Sequence, residues 1–401
     1  MIRGKKFFPA LTAGTRRILL VLLFSALSVG MATQAWAIVA YNRGGKELKL
    51  GLRALIWYQA IQAAAPNGST SNGFALRQAR IYMAGRYSKT ISFGTHFDWN
   101  KVGSVDGKTS SSASTSLTDA FLGFNFMPQL KFMTGQYRIA FSRYSLTATT
   151  SAHLFPHNPF AASPALLTST GNFRQTGVTA WGFLGKRLRY NLGIASGLPQ
   201  TFKTGSDSSD SLLYSARAEY TLLGLAKEGY LHKNEWNGKR GKFATVGAGF
   251  LTKKYSTTAA APFHNATYSA WTMDEYSEYP IAGGSIATEA AYYYYNFDNR
   301  LDPNVQSWFA QAGYLLPGKI GPGRLEPGVR YDTYRLEGVA GATTKVWTAG
   351  LNYYIYGNNV KWSLEWLNIS NGAGASQNLA VFSGIKGKDT NAVTVQLQFM
   401  I

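Results

Sequence analysis

Cysteine is absent from this 401-residue chain, which excludes disulfides and thiolate metal sites as sources of cohesion. Charge is sparse at 15%, and acids are the scarcer sign, with 20 Asp and Glu against 40 Lys and Arg. The basic residues are scattered singly and never form a run of five, so no nucleic-acid patch is expected. Long apolar helices are missing too. The one sustained apolar run, Ile18 to Val29, falls short of the ~20 residues that span a bilayer. No glycine-rich phosphate loop follows a strand and opens a helix, which removes support for nucleotide binding.

What the chain does have is period-two patterning. Val393, Val395, Leu397, Phe399 and Ile401 are apolar, whereas Thr394, Gln396 and Gln398 between them are polar. That alternation marks a strand with one face in lipid or core and the other in water. Forty-two glycines and an aromatic content of 14% suit strands and tight turns better than helices. At the N-terminus, Arg3, Lys5, Lys6, Arg16 and Arg17 precede the apolar run, and Ala35-Trp36-Ala37 follows it as an A-x-A cleavage site. Residues 1–37 therefore read as a signal peptide and 38–401 as the exported domain. Its removal takes away five basic residues and no acid, lowering the formal charge from +20 to +15.

Sixteen strands are expected, near residues 48–61, 74–87, 90–100, 117–127, 129–138, 174–184, 186–196 and 211–222 in the first half. The second half adds 242–252, 265–278, 284–298, 304–316, 324–336, 344–356, 360–370 and 391–401. Met127-Pro128-Gln129, Leu184-Gly185-Lys186 and Tyr356-Gly357-Asn358-Asn359 read as tight turns, and the Ser/Gly/Thr-rich stretch 103–116 as a mobile external loop. Alternating short and long connections behind a signal peptide predict an all-β fold: a transmembrane antiparallel barrel of about 16 strands in a bacterial outer membrane. Residues 139–172 carry Pro156, Pro159 and Pro164 among apolar and basic groups and are expected to fold inward. Trp57, Tyr58, Trp99, Trp181, Trp308, Tyr314, Trp347, Tyr353, Trp362 and Trp366 lie in or at the ends of strands, as membrane-interface anchors do.

If the apolar members of each strand face lipid, their neighbours face a lumen. This places Arg53, Arg80, Arg86, Arg189, Arg217, Arg330 and Lys361 inside, with Asp98, Asp119, Glu219, Glu289, Asp332 and Glu365 as the carboxylates. Arginine offers a permanent charge and a fork of donors suited to phosphate or carboxylate, and a ladder of such groups favours anions. One bulge would invert the assignment beyond it. For each arginine, a pair with a neighbouring carboxylate is the alternative role.

Catalytic and metal chemistry find little footing. His96 lies two residues from Asp98 on one strand face, but no nucleophile elbow accompanies them. His153 and His157 sit in a proline-rich stretch with no carboxylate between them. Neither an enzymatic activity nor a metal or other cofactor is therefore expected.

Phe74 to Arg80 (FALRQAR), Asp119 to Phe124 (DAFLGF), Gly135-Gln136-Tyr137-Arg138, Gly177 to Gly197, and Gly350-Leu351-Asn352-Tyr353-Tyr354 follow in order along the chain. In that order they resemble the phosphate-selective porin O and P family. The resemblance implies a sixteen-stranded homotrimeric porin whose third external loop enters the pore and whose basic lumen conducts small anions. It adds Arg77, Arg138 and Arg143 to the expected anion path, with Arg77 and Arg80 in the basic second-strand motif and Arg138 opening the constriction. The expected activity is passive diffusion of phosphate or similar small anions through a barrel surrounded by outer-membrane lipids. A barrel enzyme or a non-conducting adhesin is the alternative.

Overall fold

The computed structural model describes residues 38–62, 70–105, 108–110, 114–147, 154–162, 173–196, 212–226, 229–232, 236–254, 267–296, 304–371 and 389–401. The signal-peptide reading of residues 1–37 lies outside them. Among the described residues nearly every element is a strand. The first nine are β1 (Ile38–Arg43), β2 (Lys46–Ile61), β3 (Ser71–Arg86), β4 (Ile91–Val105), β5 (Lys108–Ser110), β6 (Ser114–Met127), β7 (Leu130–Arg138), β8 (Arg174–Leu184) and β9 (Leu188–Ala195). Then come β10 (Leu213–Leu223), β11 (Phe243–Lys254), β12 (Thr267–Ile281), β13 (Gly284–Asn296), β14 (Val305–Leu315), β15 (Arg324–Leu336), β16 (Thr343–Tyr354), β17 (Val360–Asn371) and β18 (Thr390–Met400). Among the described residues one single-turn α-helix, α1 (Arg143–Leu146), lies between β7 and β8.

Each expected strand is present, and consecutive neighbours pair antiparallel from β2 round to β18, skipping only the short β5. β18 then pairs with β2, closing sixteen strands into a barrel with no free edge. The short β1 folds back on β2. Within the stretch 103–116, read from its composition as a mobile loop, Gly103–Val105 instead continue β4 and pair with β5, and Ser114–Ser116 begin β6. A backbone ladder needs no apolar side chains, so composition alone does not reveal it.

Side-chain alternation follows the closure. Outward positions such as Leu52, Ile56, Ile81, Leu192, Phe250, Val329 and Leu351 are exposed and apolar, forming the surface that lipid would cover. Trp308, Trp347 and Trp366 share that face. Trp57 and Trp181, expected as interface anchors, point inward instead and are buried. Each packs against chain that has entered the lumen: Trp57 against His157, and Trp181 against Tyr230.

Among the described residues two segments enter that lumen. Ile139–Thr147 and Leu154–Ala162 enter from the end with the long connections, as expected for 139–172, and nearly all of their residues are buried. Phe141, Tyr144 and Ala161 join inward Tyr268, Tyr293, Tyr295, Phe309 and Tyr334 in the largest apolar cluster. Burying such side chains contributes about 1.5–3 kcal/mol each. The second segment is the β10–β11 connection, which starts from the end with the tight turns. Its Tyr230, His232, Trp236 and Asn237 are buried, and the His232 amide donates to the Leu146 carbonyl at 3.0 Å, so the two segments meet.

The wall makes room for them with glycine. A Cβ on Gly249 would lie 1.9 Å from the Phe141 carbonyl oxygen, and one on Gly350 would lie 2.9 Å from the Phe155 ring. No larger residue fits at Gly249 unless Phe141 moves away.

Candidate functional site: a charged lumen

Buried ionisable groups are unevenly divided round the barrel. Among the described residues, seven basic side chains on β2–β10 face inward (Arg53, Arg80, Lys131, Arg138, Arg174, Arg189, Arg217) against three acids (Asp98, Asp119, Glu219). On β11–β18 the balance reverses, with Lys253, Arg330 and Lys361 against Asp274, Glu278, Glu289, Glu326, Asp332 and Glu365. One wall of the lumen is therefore positive and the other negative. The six expected carboxylates are all buried inside.

The densest positive region lies on β2, β3, β7 and β8. Arg53 and Arg80 are directly opposite across the β2–β3 ladder, as are Arg138 and Arg174 across β7–β8. Arg80 forks onto Asp98 through Nε and, at 2.7 Å, through Nη2. Arg174 donates Nε and Nη2 to Asp119 at 2.9 and 2.8 Å. Four guanidiniums thus share two carboxylates, and they are close enough to repel one another. Such an arrangement attracts an anion more strongly than isolated ion pairs would.

Arg77 reaches the same side through a bulge. Leu55 pairs with Gln78 and Ile56 with Leu76, leaving Arg77 unpaired in the ladder, with its guanidinium 5.3 Å over the inward Trp57 ring. Arg77 and Arg80 are three residues apart, a spacing that simple alternation cannot bring to one face.

Arg138 and Arg143 tie the inward segment to the wall. Arg138 Nη1 donates to the carbonyls of Ser145 and Thr147 at 3.2 and 2.6 Å. Arg143, in α1, lies 3.6 Å from Glu219, donates to Thr245 at 3.1 Å and stacks 4.3 Å over Tyr276. Its amide donates to Asp274 at 2.9 Å, and Arg217 grips the same carboxylate at 2.6 and 2.8 Å. The helix starts at Ser142, whose hydroxyl accepts from the Ser145 amide in a capping box. Opposite, Arg330 binds Asp332 at 2.8 Å and the His157 carbonyl at 3.0 Å, while His157 Nδ1 lies 2.5 Å from Glu365. Arg189 donates to the Tyr230 carbonyl at 2.5 Å, and Lys361 is buried on the negative wall near Glu326.

Arg86 keeps the inward parity but stands at the end of β3, exposed and 3.2 Å from Glu47, so it marks the rim rather than the narrow region. His96, which shares a strand face with Asp98, pairs across the ladder with Asp119 at 2.8 Å, while Arg80 holds Asp98 and a register shift follows His96. His153 lies outside the described residues. Among the described residues no group of three His, Asp or Glu side chains suits a metal ion. The buried groups that the sequence reading did not name include Lys131, Arg174 and His232, and on the negative wall Lys253, Asp274, Glu278 and Glu326. Lys131 had a usable signal, since it shares the parity of the inward Met133 and Tyr137.

Burial dominates titration in the inward segments. His232, 3.3 Å from Glu219 and near Arg143 and Arg189, is pushed down to about 4, chiefly because its charged form is desolvated. Burial pushes the Tyr144 hydroxyl well above its ordinary value, so it stays neutral.

A barrel that encloses a constricted, charged lumen has the architecture of a channel, and the sequence matches the phosphate-selective porin O and P family over residues 48–401. The chain belongs to that family. It is a porin of the bacterial outer membrane. An uncharacterized protein of Aquifex aeolicus (strain VF5) is 26% identical over 263 residues, which cover 63% of this chain and 62% of that relative. Among solved structures, the anion-selective porin from Comamonas acidovorans aligns with a TM-score of 0.61 at 12% identity, over 89% of this porin and all of that chain. OmpT, an outer membrane protein of Vibrio cholerae solved in a trimer form, aligns at 0.54 and 10% identity, over 89% and 100% of the two chains. At these identities the structural likeness supports the shared barrel fold alone.

Proposed function

We propose that this porin is a passive, anion-selective channel for phosphate or similar small anions and has no catalytic role. The single observation that carries this reading is the seven-to-three excess, among the described residues, of buried basic over acidic groups on β2–β10. Small anions follow that wall through the region of Arg53, Arg77, Arg80 and Arg138, past the inward segment that carries Arg143. Arg189 and Arg217 continue the positive wall. Arg330 and Lys361 relieve the negative one, and Arg86 attracts anions at the rim. Weak binding at successive sites raises occupancy without trapping the ion.

Residues 1–37 serve as a cleaved signal peptide, and three barrels of 38–401 associate within the outer-membrane lipid. The family and the trimeric form of the OmpT structure support that assembly. The test is a reversal potential: the purified protein in planar bilayers under a KCl gradient is expected to pass a current that reverses toward the chloride equilibrium. Reversal toward potassium would refute anion selectivity, and no current would favour an adhesin or enzyme barrel.

A further inference from the structure

At the end with the tight turns, the lumen holds a cavity of about 620 Å³ between the β3–β8 wall and the β10–β11 connection. One part of its lining is aromatic. Trp181 and Tyr137 lie edge-on to Tyr230, with ring centres 5.6 and 5.7 Å away, and Met133 and Phe121 extend the same apolar surface. The other part is cationic. Lys131 lines the cavity, and its ammonium sits 4.7 Å from the Trp181 ring centre and 5.5 Å from that of Phe183.

Lys131 is 7% exposed, and among the described residues no carboxylate or hydrogen-bond acceptor meets its ammonium. The carboxylate in the lining, Asp119, is already held by Arg174 and His96. With ring faces as its protein partners, this ammonium, open to the cavity, is available to an anion bound there. Arg138, also in the lining, adds a second positive charge.

We propose that this cavity binds an aromatic carboxylate, with the carboxylate on Lys131 and the ring among Trp181, Tyr137 and Tyr230. The proposal rests on the anion-channel reading and narrows the solute. Inorganic phosphate would satisfy the ammonium but leave the aromatic wall uncovered, whereas a flat apolar body with one negative end matches both parts. The volume is within the ~300–1,000 Å³ of ordinary small-molecule sites, which is ample for one or two rings.

Calorimetric titration of the folded barrel in detergent tests binding without requiring conduction. Benzoate is expected to bind at least tenfold more tightly than either propionate or inorganic phosphate. Lys131→Met should weaken benzoate at least tenfold, and Lys131→Arg should restore it, which separates loss of the charge from misfolding. Equal affinity for propionate, a preference for phosphate, or unchanged benzoate binding in Lys131→Met would overturn the proposal. If benzoate binds as expected while the bilayer current is cation-selective, the site stands and the anion-channel reading falls.

Discussion

Arg80 and Asp98 form a charge pair whose two members can be neutralised separately, with opposite expected effects on selectivity. Arg80→Gln removes one positive charge from the four-guanidinium region, and Asp98→Asn removes one of its two neighbouring carboxylates. An ion passing about 6 Å away interacts with one unit charge by ~0.7 kcal/mol at bulk dielectric. Anion and cation respond oppositely, so their ratio moves by ~1.4 kcal/mol, about tenfold without salt. Screening over a Debye length of about 10 Å at 0.1 M roughly halves that energy and leaves about a fourfold change. The anion-to-cation permeability ratio should therefore fall about fourfold in Arg80→Gln and rise about fourfold in Asp98→Asn. Bilayer reversal potentials measure both. Near 0.01 M salt each change should approach sevenfold, and at 1 M it should nearly vanish. Equal ratios in the two variants at low salt, or shifts of the same sign, would mean that permeating ions do not pass this cluster.

Acidification should loosen the contact between the two inward segments. The folded state holds His232 at about 4 against about 6.5 in an open chain, so the open form binds more protons between those values. The docking of His232 is complete above pH 6.5 and weakens as pH falls toward 4, where Glu219, Arg143 and Arg189 are the charged groups facing the ring. Single-channel recordings should show more frequent conductance steps at pH 4.5 than at pH 7, and His232→Gln should remove that dependence. Gly249→Val should push Phe141 and α1 off the wall and raise single-channel conductance. The cost is about 1–3 kcal/mol of stability for an overpacked contact, read from denaturant midpoints. Unchanged conductance in a folded Gly249→Val barrel would place the constriction elsewhere.

The sixteen strands were legible because two-faced burial imposes a period of two, which β18 repeats from Val393 to Phe399. Lumen residues deep inside strands, such as Arg53, Arg217 and Arg330, followed from the same parity. The departures cluster where that period breaks. The bulge at Arg77 brings residues three apart to one side, and the shift after His96 redirects it to Asp119. At the mouth of the inward segment, Tyr137 and Arg138 are both buried, as are Arg174 and Gln175, because chain folded inside covers the second face. The β10–β11 connection carries no such period. Tyr230, His232 and Trp236 are buried by contacts with distant strands, which local spacing does not encode.

The seam between the first and last barrel strands has a consequence for assembly. Trp57 donates to Gln396 across it, joining residues 339 apart in the chain. Closing a loop of that length costs about 5 kcal/mol of chain entropy before any rung rewards it. Until then the outer sides of β2 and β18 carry unmatched amides and carbonyls, which hydrocarbon tolerates poorly. Insertion and ring closure are thereby coupled, and an intermediate caught between them would be the form most prone to stick to its own kind.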